Sequence, residues 1–179
     1  MNIFYLDKNP KLAAQYHYDK HVVKMILESA QLLSTAHRVL DGEEYIELNK
    51  AGARMRRWQL CDERENVLYK STHYNHPSAI WCRTNDENYE WLYWLFRELL
   101  EEYTYRYNKH HACEKLIIPL AQIPNNILDG KFFDVTPAMD KSLIIPKNSI
   151  ASYRNYYKIT KEHLRSYTKR DEPYWLKEV

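Results

Sequence analysis

One segment, "HYDKHVVKMILESAQLLSTAHR" at residues 17–38, constrains the fold more than any other part of the chain. Its polar side chains recur at alternating intervals of four and three residues, which places them on one line along a helix. Most other positions between 22 and 36 are apolar, so the helix is expected to pack against other elements on most sides. The polar line comprises His17, His21, Lys24, Glu28, Gln31 and Thr35.

Further helical patterns extend this segment into a mainly α fold. The first pattern runs from about residue 10 to residue 40 without a glycine. The clearest helix spans residues 85–108, with acidic residues in its first turn and apolar residues at helical spacing. Pro77 suits the first turn of another helix, and Ser149 suits the N-cap of the last one. The sequence therefore predicts an all-α fold of three to four long helices joined by long loops.

Residues 1–179 are expected to form a single compact domain, because the length is ordinary for one core and no boundary or repeat interrupts the chain. Residues 43–69 are charged, are expected to be helical in part, and are interpreted as a possible insertion. Residues 117–148 hold four of the seven prolines and are predicted to be a long loop. Residues 2–6 suit either a short strand or an extended arm.

The charge balance argues against a global cationic field, because the formal net charge is only +2. A nucleic-acid-binding protein would then need a local basic patch. The run "RMRR" at residues 54–57, with Arg64 and Lys70, is a candidate, although it also fits a solvated surface. The 16 tyrosines and 5 tryptophans suit base stacking or an ordinary aromatic core. With 3 glycines in the chain, no glycine-rich phosphate loop is present.

The remaining composition excludes several other classes. The three cysteines are widely spaced without a CxxC pair, so neither a disulfide framework nor a cysteine zinc site is expected. The first ten residues lack the basic start and apolar run of a signal peptide, and no apolar stretch approaches membrane length. We therefore expect a cytoplasmic protein, in the host cytoplasm for a phage-encoded chain, with no membrane partner and no cofactor.

The polar line on the first helix has three interpretations. It could be the sole solvent-facing edge, with Lys24 and Glu28 forming an ion pair one turn apart. It could instead line a cleft, where a carboxylate flanked by lysine and histidine beside apolar walls can be tuned for acid–base catalysis. His17 and His21 could also hold a metal on one helical face, but Tyr18 stands where a zincin helix needs glutamate, and no metal is expected.

A second motif, "KSTHYNHPSAIW" at residues 70–81, places His73 and His76 around the start of a helix. A residue before proline is pushed away from helical geometry, so His76 is expected to be extended, with Asn75 and Ser78 available to cap the helix. The free N–H groups at a helix start attract anions such as phosphate. A plain capped elbow explains the same residues.

The two motifs together carry a family resemblance. The phrase "DKHVVKMILES" places Asp19, His21 and Glu28 in one helical motif, and "YNHPSAIWCR" places Asn-His-Pro ahead of Arg83. The opening "MNIFYLDKNPK" is an apolar arm, and "DEPYWLKEV" is an aromatic C-terminus. In patches over much of its length, the chain resembles the small pyrimidine-dimer DNA glycosylase/AP lyase family of phages and bacteria, the endonuclease V type.

The resemblance implies a compact all-α fold and a covalent mechanism. In that family the α-amine of the N-terminal residue attacks the sugar C1′ and forms a Schiff base. Glu28 would stabilise developing charge and move protons, and the lesion would be flipped from the base stack. His21 and Lys24 are expected to assist catalysis by orienting groups or binding phosphate. The predicted substrate contacts are His17, Gln31, His73, Asn75, His76, Arg83 and Tyr105, the last by stacking on a base.

The chain departs from the family pattern at Asn2, which is a poor site for methionine removal, and at Leu27 and Gln31, where the family has arginines. Residues 43–69 and 117–148 have no obvious counterpart. Three hypotheses therefore remain open. The first is a glycosylase or lyase acting on damaged or modified pyrimidine in DNA. The second is an enzyme on the same scaffold that modifies or hydrolyses a nucleotide or modified base. The third is a non-enzymatic phage protein that binds or sequesters a nucleotide, or binds a protein partner.

Overall fold

The two longest helices pack against each other and form the framework for two shorter ones. Helix α2 comprises Asp19–Asp41, and helix α5 comprises Asp86–Tyr107. Helix α1, Pro10–Gln15, packs on α5, and helix α4, Pro77–Cys82, packs on both long helices. In this computed structural model, which describes residues 1–177, 53% of the chain is helical. The prediction of a mainly α protein is confirmed.

Shorter elements complete the chain. The strands and remaining α-helices are β1 (Glu43–Leu48), β2 (Arg54–Gln59), α3 (Arg64–Val67), α6 (Ile117–Ala121), α7 (Ser149–Thr160) and α8 (Tyr174–Lys177). The 3₁₀ turns are Ala112–Leu116, Lys141–Leu143 and Glu162–Leu164. The predicted loop at residues 117–148 therefore contains two short helical pieces. Within residues 1–177, no helix combines the length and the apolarity needed to cross a membrane.

The start of the chain forms an extended arm that is buried without joining a sheet. Residues 3–6 are no more than 4% exposed and belong to the main hydrophobic cluster. The indole N–H of Trp91 donates to the carbonyl of Lys8 at 2.7 Å, at the point where the arm meets α5. Burying a large apolar side chain is worth about 1.5–3 kcal/mol, so packing against the core holds the arm in place.

The continuous first helix predicted over residues 10–40 is interrupted at residues 16–18. Arg106 of α5 is fully buried there and donates to the carbonyls of Gln15 and His17, both at 2.9 Å. The Arg106 side chain therefore supplies the hydrogen-bond donors for these carbonyls, which lie at the C-terminal end of α1 and just beyond it. Asp19 accepts from the same guanidinium at 2.9 Å and begins α2, where a carboxylate is favourable. His17 consequently lies before the helix and not on its polar line.

Residues 43–69 contain a β-hairpin that the sequence did not predict. The expected helical part is confined to Arg64–Val67, while β1 and β2 pair in an antiparallel register. The strands carry opposite charges, "EEYIEL" against "RMRRWQ", and such cross-strand pairs stabilise a two-stranded ribbon. The cross-strand ion pairs join Arg56 to Glu44 and Arg57 to Glu47.

Helix starts follow the sequence closely, with one correction. Pro77 begins α4, as predicted, and Asn85 caps α5 by accepting from the N–H of Asn88 at 2.9 Å. The cap of α7 is Asn148 and not Ser149, because the Asn148 side chain accepts from the N–H of Ala151 at 2.9 Å. Both asparagines fulfil the usual N-cap role of satisfying a free helical donor.

Candidate functional site

The carboxylate of Glu28 lies at a junction between α2 and the N-terminal arm. Its Oε2 accepts a hydrogen bond from the backbone nitrogen of Asn2 at 2.8 Å. Its Oε1 lies 3.3 Å from Nζ of Lys24, one turn earlier on the helix. The Glu28 side chain is 13% exposed and that of Lys24 is 64% exposed. The carboxylate is thus held between a main-chain nitrogen and an ammonium, with limited access to solvent.

Asn2 fixes the position of that main-chain nitrogen. Its Oδ1 accepts from the hydroxyl of Tyr153 at 2.9 Å, and its Nδ2 donates to the carbonyl of Ala138 at 2.9 Å. The same Oδ1 accepts from the N–H of Ile3 at 2.9 Å. With these bonds on both ends of the amide, the arm has one defined position over Glu28. No sequence pattern indicates the role of Tyr153, because it depends on the tertiary contact between α7 and the arm.

His76 lies near the same carboxylate. Its backbone is extended (φ −67°, ψ 140°), as predicted, but its own ring caps α4, because Nδ1 accepts from the N–H of Ser78 at 3.2 Å. In a neutral ring the proton is therefore on Nε2, which is left to donate. Burial lowers the pKa of His76, the positive charges of the Met1 amine and His73 lower it further, and the Glu28 carboxylate opposes them. The Met1 amine and the Glu28 carboxylate thus act on the His76 ring in opposite directions.

A groove of about 720 Å³ lies beside His76. One wall is residues 54–57 of β2, and the other is residues 71–76. The second wall is tied to α2, because the hydroxyl of Thr35 accepts from the backbone N–H of Thr72 at 3.1 Å. The groove has the size of an ordinary small-molecule site. It joins the basic run and the histidine motif that the sequence analysis singled out separately.

His21 and His17 form a buried layer behind the arm. The ring of His21 stacks on Phe4 with 4.5 Å between centroids, and its Nδ1 lies 2.7 Å from the hydroxyl of Tyr157. Nδ1 of His17 donates to the carbonyl of Ala13 at 2.6 Å, which leaves its buried Nε2 without a partner. Burial lowers the pKa of His17 to about 4 and that of His21 to about 3, so both rings are neutral at pH 7.

The backbone of Phe4 is held in a left-handed conformation, with φ of 53°. Such a conformation costs a bulky residue of the order of 1–3 kcal/mol and persists only when its surroundings impose it. The surroundings here are the rings of His21, Tyr156 and Tyr157, which pack around the Phe4 side chain. The strained residue lies two positions after Asn2, whose nitrogen contacts Glu28.

The remaining predicted site residues fall in different places. His73 and Asn75 are exposed and line the groove. Gln31 is half-buried and follows Glu28 by about one turn of α2. Arg83 donates to the carbonyl of Tyr74 at 2.6 Å, so it supports the loop at residues 71–76 from behind.

Two predicted substrate contacts lie apart from Glu28. His17 has no exposed surface, so it offers a substrate no contact in this conformation. Tyr105 lines a separate pocket with Arg170, whose guanidinium lies 4.1 Å from the Tyr105 ring centroid. The polar line on α2 is also not the only solvent-facing edge, because Val23 and Leu27 are 40% and 39% exposed.

No metal site is formed within residues 1–177, where no three histidine, cysteine, aspartate or glutamate side chains converge on one point. His17 and His21, the pair considered for a metal from their spacing, are instead occupied by Ala13 and Tyr157. Neither protein-family models, nor characterised proteins, nor solved structures give a match to this chain. Function must therefore be argued from the site itself.

Proposed function

We propose that the protein is a DNA-acting enzyme of the glycosylase/AP lyase type, with an endonuclease V-like arrangement and a damaged or modified pyrimidine as its target. The observation that carries this proposal is the 2.8 Å contact between the residue-2 nitrogen and Oε2 of Glu28. If Met1 is removed, that nitrogen becomes the α-amine of the chain. A carboxylate within hydrogen-bond reach of an amine is the arrangement that activates an amine nucleophile.

The reaction would use few groups. The amine lone pair attacks C1′ of the deoxyribose as the bond from C1′ to the base breaks, and the base leaves with the bonding pair and takes a proton from water. Glu28 takes the proton that the bound amine loses and returns it to the ring oxygen O4′, so that the sugar ring opens and the C1′–nitrogen bond becomes the Schiff base. Loss of a C2′ proton then expels the 3′ phosphate, and water hydrolyses the Schiff base to restore the amine. Each proton transfer lies within the ordinary capacity of a positioned carboxylate.

Two neighbouring groups support this use of Glu28. Lys24 places a positive charge 3.3 Å from Oε1 and projects into solvent, where a phosphate could reach it. The Nε2 proton of His76 can be donated to a substrate oxygen, because Nδ1 is engaged by the helix cap. Because the rings of His21 and His17 are buried, we assign them to holding the arm and not to direct contact with the substrate.

Three amines could serve as the nucleophile: those of Met1, of Asn2 after loss of Met1, and of Lys24. We favour the α-amine, because α-amines lose their proton at lower pH than lysines do. Lys24 is also 64% exposed and paired with Glu28.

Borohydride trapping tests the proposal. The protein is incubated with duplex oligonucleotides that carry an abasic site or a thymine dimer, and borohydride reduces any Schiff base to a stable adduct. We expect an adduct with one of these duplexes and none with undamaged DNA. Absence of an adduct on both lesions would remove the amine mechanism.

A second function is favoured by the hydrogen bonds of Asn2. With Met1 in place, the residue-2 nitrogen is an amide whose N–H is already satisfied by Glu28. Glu28 would then act on water or on a base, with His76 as hydrogen-bond donor, and the substrate would be a nucleotide or modified base. Turnover of such a substrate by a chain that retains Met1, without trapping, would support this function. Tight nucleotide binding without turnover would instead indicate a sequestering protein.

A further inference from the structure

The groove between β2 and residues 71–76 has a lining of one charge sign. Its ten lining residues include Arg54, Arg56, Arg57, His73 and His76, and none is aspartate or glutamate. The whole chain, by contrast, carries a formal net charge of only +2. A cleft lined by cations in a nearly neutral protein concentrates the positive potential in one place. An anionic ligand is therefore the natural occupant.

The three arginines differ in whether a carboxylate neutralises their charge. Arg56 and Arg57 are each held by a glutamate of β1, Glu44 and Glu47 respectively. Within residues 1–177 Arg54 is exposed and forms no ion pair. The paired arginines fix the shape of the wall, while Arg54 keeps an unneutralised guanidinium for a ligand.

The opposite wall holds His73 in a strained backbone conformation, with φ of 47°. The strain is maintained from two sides, by the Thr35 bond to Thr72 and by the Arg83 bond to the carbonyl of Tyr74. Histidine tolerates the left-handed region better than most residues, but such strain persists only where the surroundings fix it. The loop is thus a preformed wall that needs no ordering when a ligand arrives.

An aromatic surface accompanies these charges. The Tyr74 ring lines the groove, and its centroid lies 5.2 Å from the guanidinium carbon of Arg56 and 4.9 Å from the ring centroid of Trp58. Cations beside an aromatic ring match a phosphate linked to a nucleobase. His76 lines the groove, and the Glu28 carboxylate acts on the His76 ring electrostatically.

We infer that this groove binds the phosphate backbone of a nucleic-acid strand and leads it past His73 and His76 to Glu28. The inference rests on the proposed function for the nature of the substrate. It adds the hairpin at residues 43–59 as the element that contacts the strand. The groove would recognise a phosphate with its attached nucleoside. This unit occurs both in a nucleic-acid strand and in a free nucleotide.

Fluorescence anisotropy on a labelled duplex with an abasic site tests the inference, over a salt range from about 50 to 200 mM. Arg54→Gln should weaken binding about threefold to tenfold at low salt and reduce the log–log salt slope by about 1. Arg54→Lys should keep the slope, because it keeps the charge. Arg97→Gln is the matched control, because Arg97 lies over the Trp94 ring on α5 and is not among the residues that line the groove. Circular dichroism checks that each variant is folded.

The outcomes distinguish failure of the proposed binding groove from failure of the proposed lyase reaction. If Arg54→Gln and the double variant Arg54→Gln/His73→Gln both keep the wild-type DNA affinity and salt slope, the groove does not bind the strand. This conclusion holds whether or not trapping succeeds. Weaker binding in Arg54→Gln without any trapped adduct in the wild type would support the groove and remove the lyase. If thymidine monophosphate competes as effectively as the oligonucleotide, the ligand of the groove is a free nucleotide and not a strand.

Discussion

Glu28 has two carboxylate oxygens that face different nitrogens, and this division defines what each can do. Oε2 is engaged by the residue-2 nitrogen in a partly buried position, while Oε1 faces the solvent-exposed Lys24. Glu28 can therefore take a proton from the residue-2 nitrogen at Oε2 and release a proton to solvent from Oε1. The site needs no second carboxylate for this exchange.

Replacing Glu28 by glutamine tests that role. Glutamine keeps an oxygen that can accept from the Asn2 N–H, but it cannot take up a proton. We expect the rate of adduct formation to fall about 100-fold or more, with DNA affinity little changed. The matched control is Glu90→Gln, because Glu90 is exposed on α5. Equal single-turnover rates for Glu28→Gln and wild type would contradict the assignment.

Tyr153→Phe tests how Asn2 is held. The change removes the hydroxyl that donates to Asn2 Oδ1, at a residue that is fully buried. We expect the free energy of unfolding to fall by about 1–3 kcal/mol, because buried polar groups lose a partner. Tyr45→Phe, on the exposed face of β1, should change it little. Urea unfolding of both variants measures the difference, and equal midpoints would be inconsistent with an ordered arm.

The residue scale also shows what the sequence could predict of the site. Glu28, Lys24 and His76 were found from helical spacing and from the position before a proline, which are local signals. The contact of Glu28 with Asn2 joins positions 26 residues apart and depends on how the arm docks. His17 has the right spacing for the polar line, but it is buried in the break between α1 and α2, where Arg106 donates to its carbonyl.

At the scale of elements, a buried ion cluster determines where α1 ends and α2 begins. Arg106 contacts both Asp19 and Glu102, and Arg170 adds a second cation to Glu102. Burial would raise the pKa of both carboxyls, but hydrogen bonds from Thr168, Ser166 and Arg106 lower the pKa of Asp19, and those from Arg170 and Arg106 lower the pKa of Glu102. Because Arg106 also caps carbonyls before α2, the cluster fixes the position from which the Glu28 helix starts.

Arg106→Met should be strongly destabilising. It removes the Arg106 donor from two carboxylates, Asp19 and Glu102, and leaves the carbonyls of Gln15 and His17 without their side-chain donor. Breaking a buried ion pair in this way costs about 3–5 kcal/mol. Arg97→Met removes an arginine from the same helix, where its guanidinium lies over the Trp94 ring, and should cost less than 1 kcal/mol. Thermal and urea unfolding compare the two. A loss in Arg106→Met no larger than in Arg97→Met would mean that the cluster does not hold the helix junction.

The elements predicted from sequence were those whose signals are local. Helix α5 has its acidic first turn and its Asn85 cap, and α4 has its proline, so both begin where expected. The hairpin was missed because its strands carry charges on both faces and are mostly exposed, which removes the alternation that marks a strand. Its pairing rests on cross-strand Glu–Arg contacts, which single-segment patterns do not contain.

At the scale of the whole molecule, three buried histidines make stability depend on pH. Burial lowers the pKa of His17 and His37 to about 4 and that of His21 to about 3, against an ordinary value of 6.5. Above pH 6.5 these rings are neutral in both states and contribute no pH dependence. As pH falls below 6.5 the unfolded chain binds protons that the folded chain excludes, so stability is lost.

We therefore expect the free energy of unfolding to be constant from pH 8 to 7 and to fall below about pH 6.5. The slope should be up to about 1.4 kcal/mol per pH unit for each histidine. Below about pH 4 the paired carboxylates Asp19 and Glu102 add to the loss. His21→Gln should reduce the slope, because it removes one of the three buried rings. Urea unfolding at pH 7.5, 6.0 and 5.0 measures it, and equal stability at all three values would refute the assignment.

The most direct test of the central claim is mass spectrometry of the borohydride-trapped adduct, after the intact mass has shown which residue begins the mature chain. We expect the reduced sugar on the α-amine of the peptide that contains the first residues, beside Glu28. A sugar on Lys24 would contradict the choice of nucleophile. Complete absence of an adduct, with Met1 in place, would contradict the amine mechanism itself.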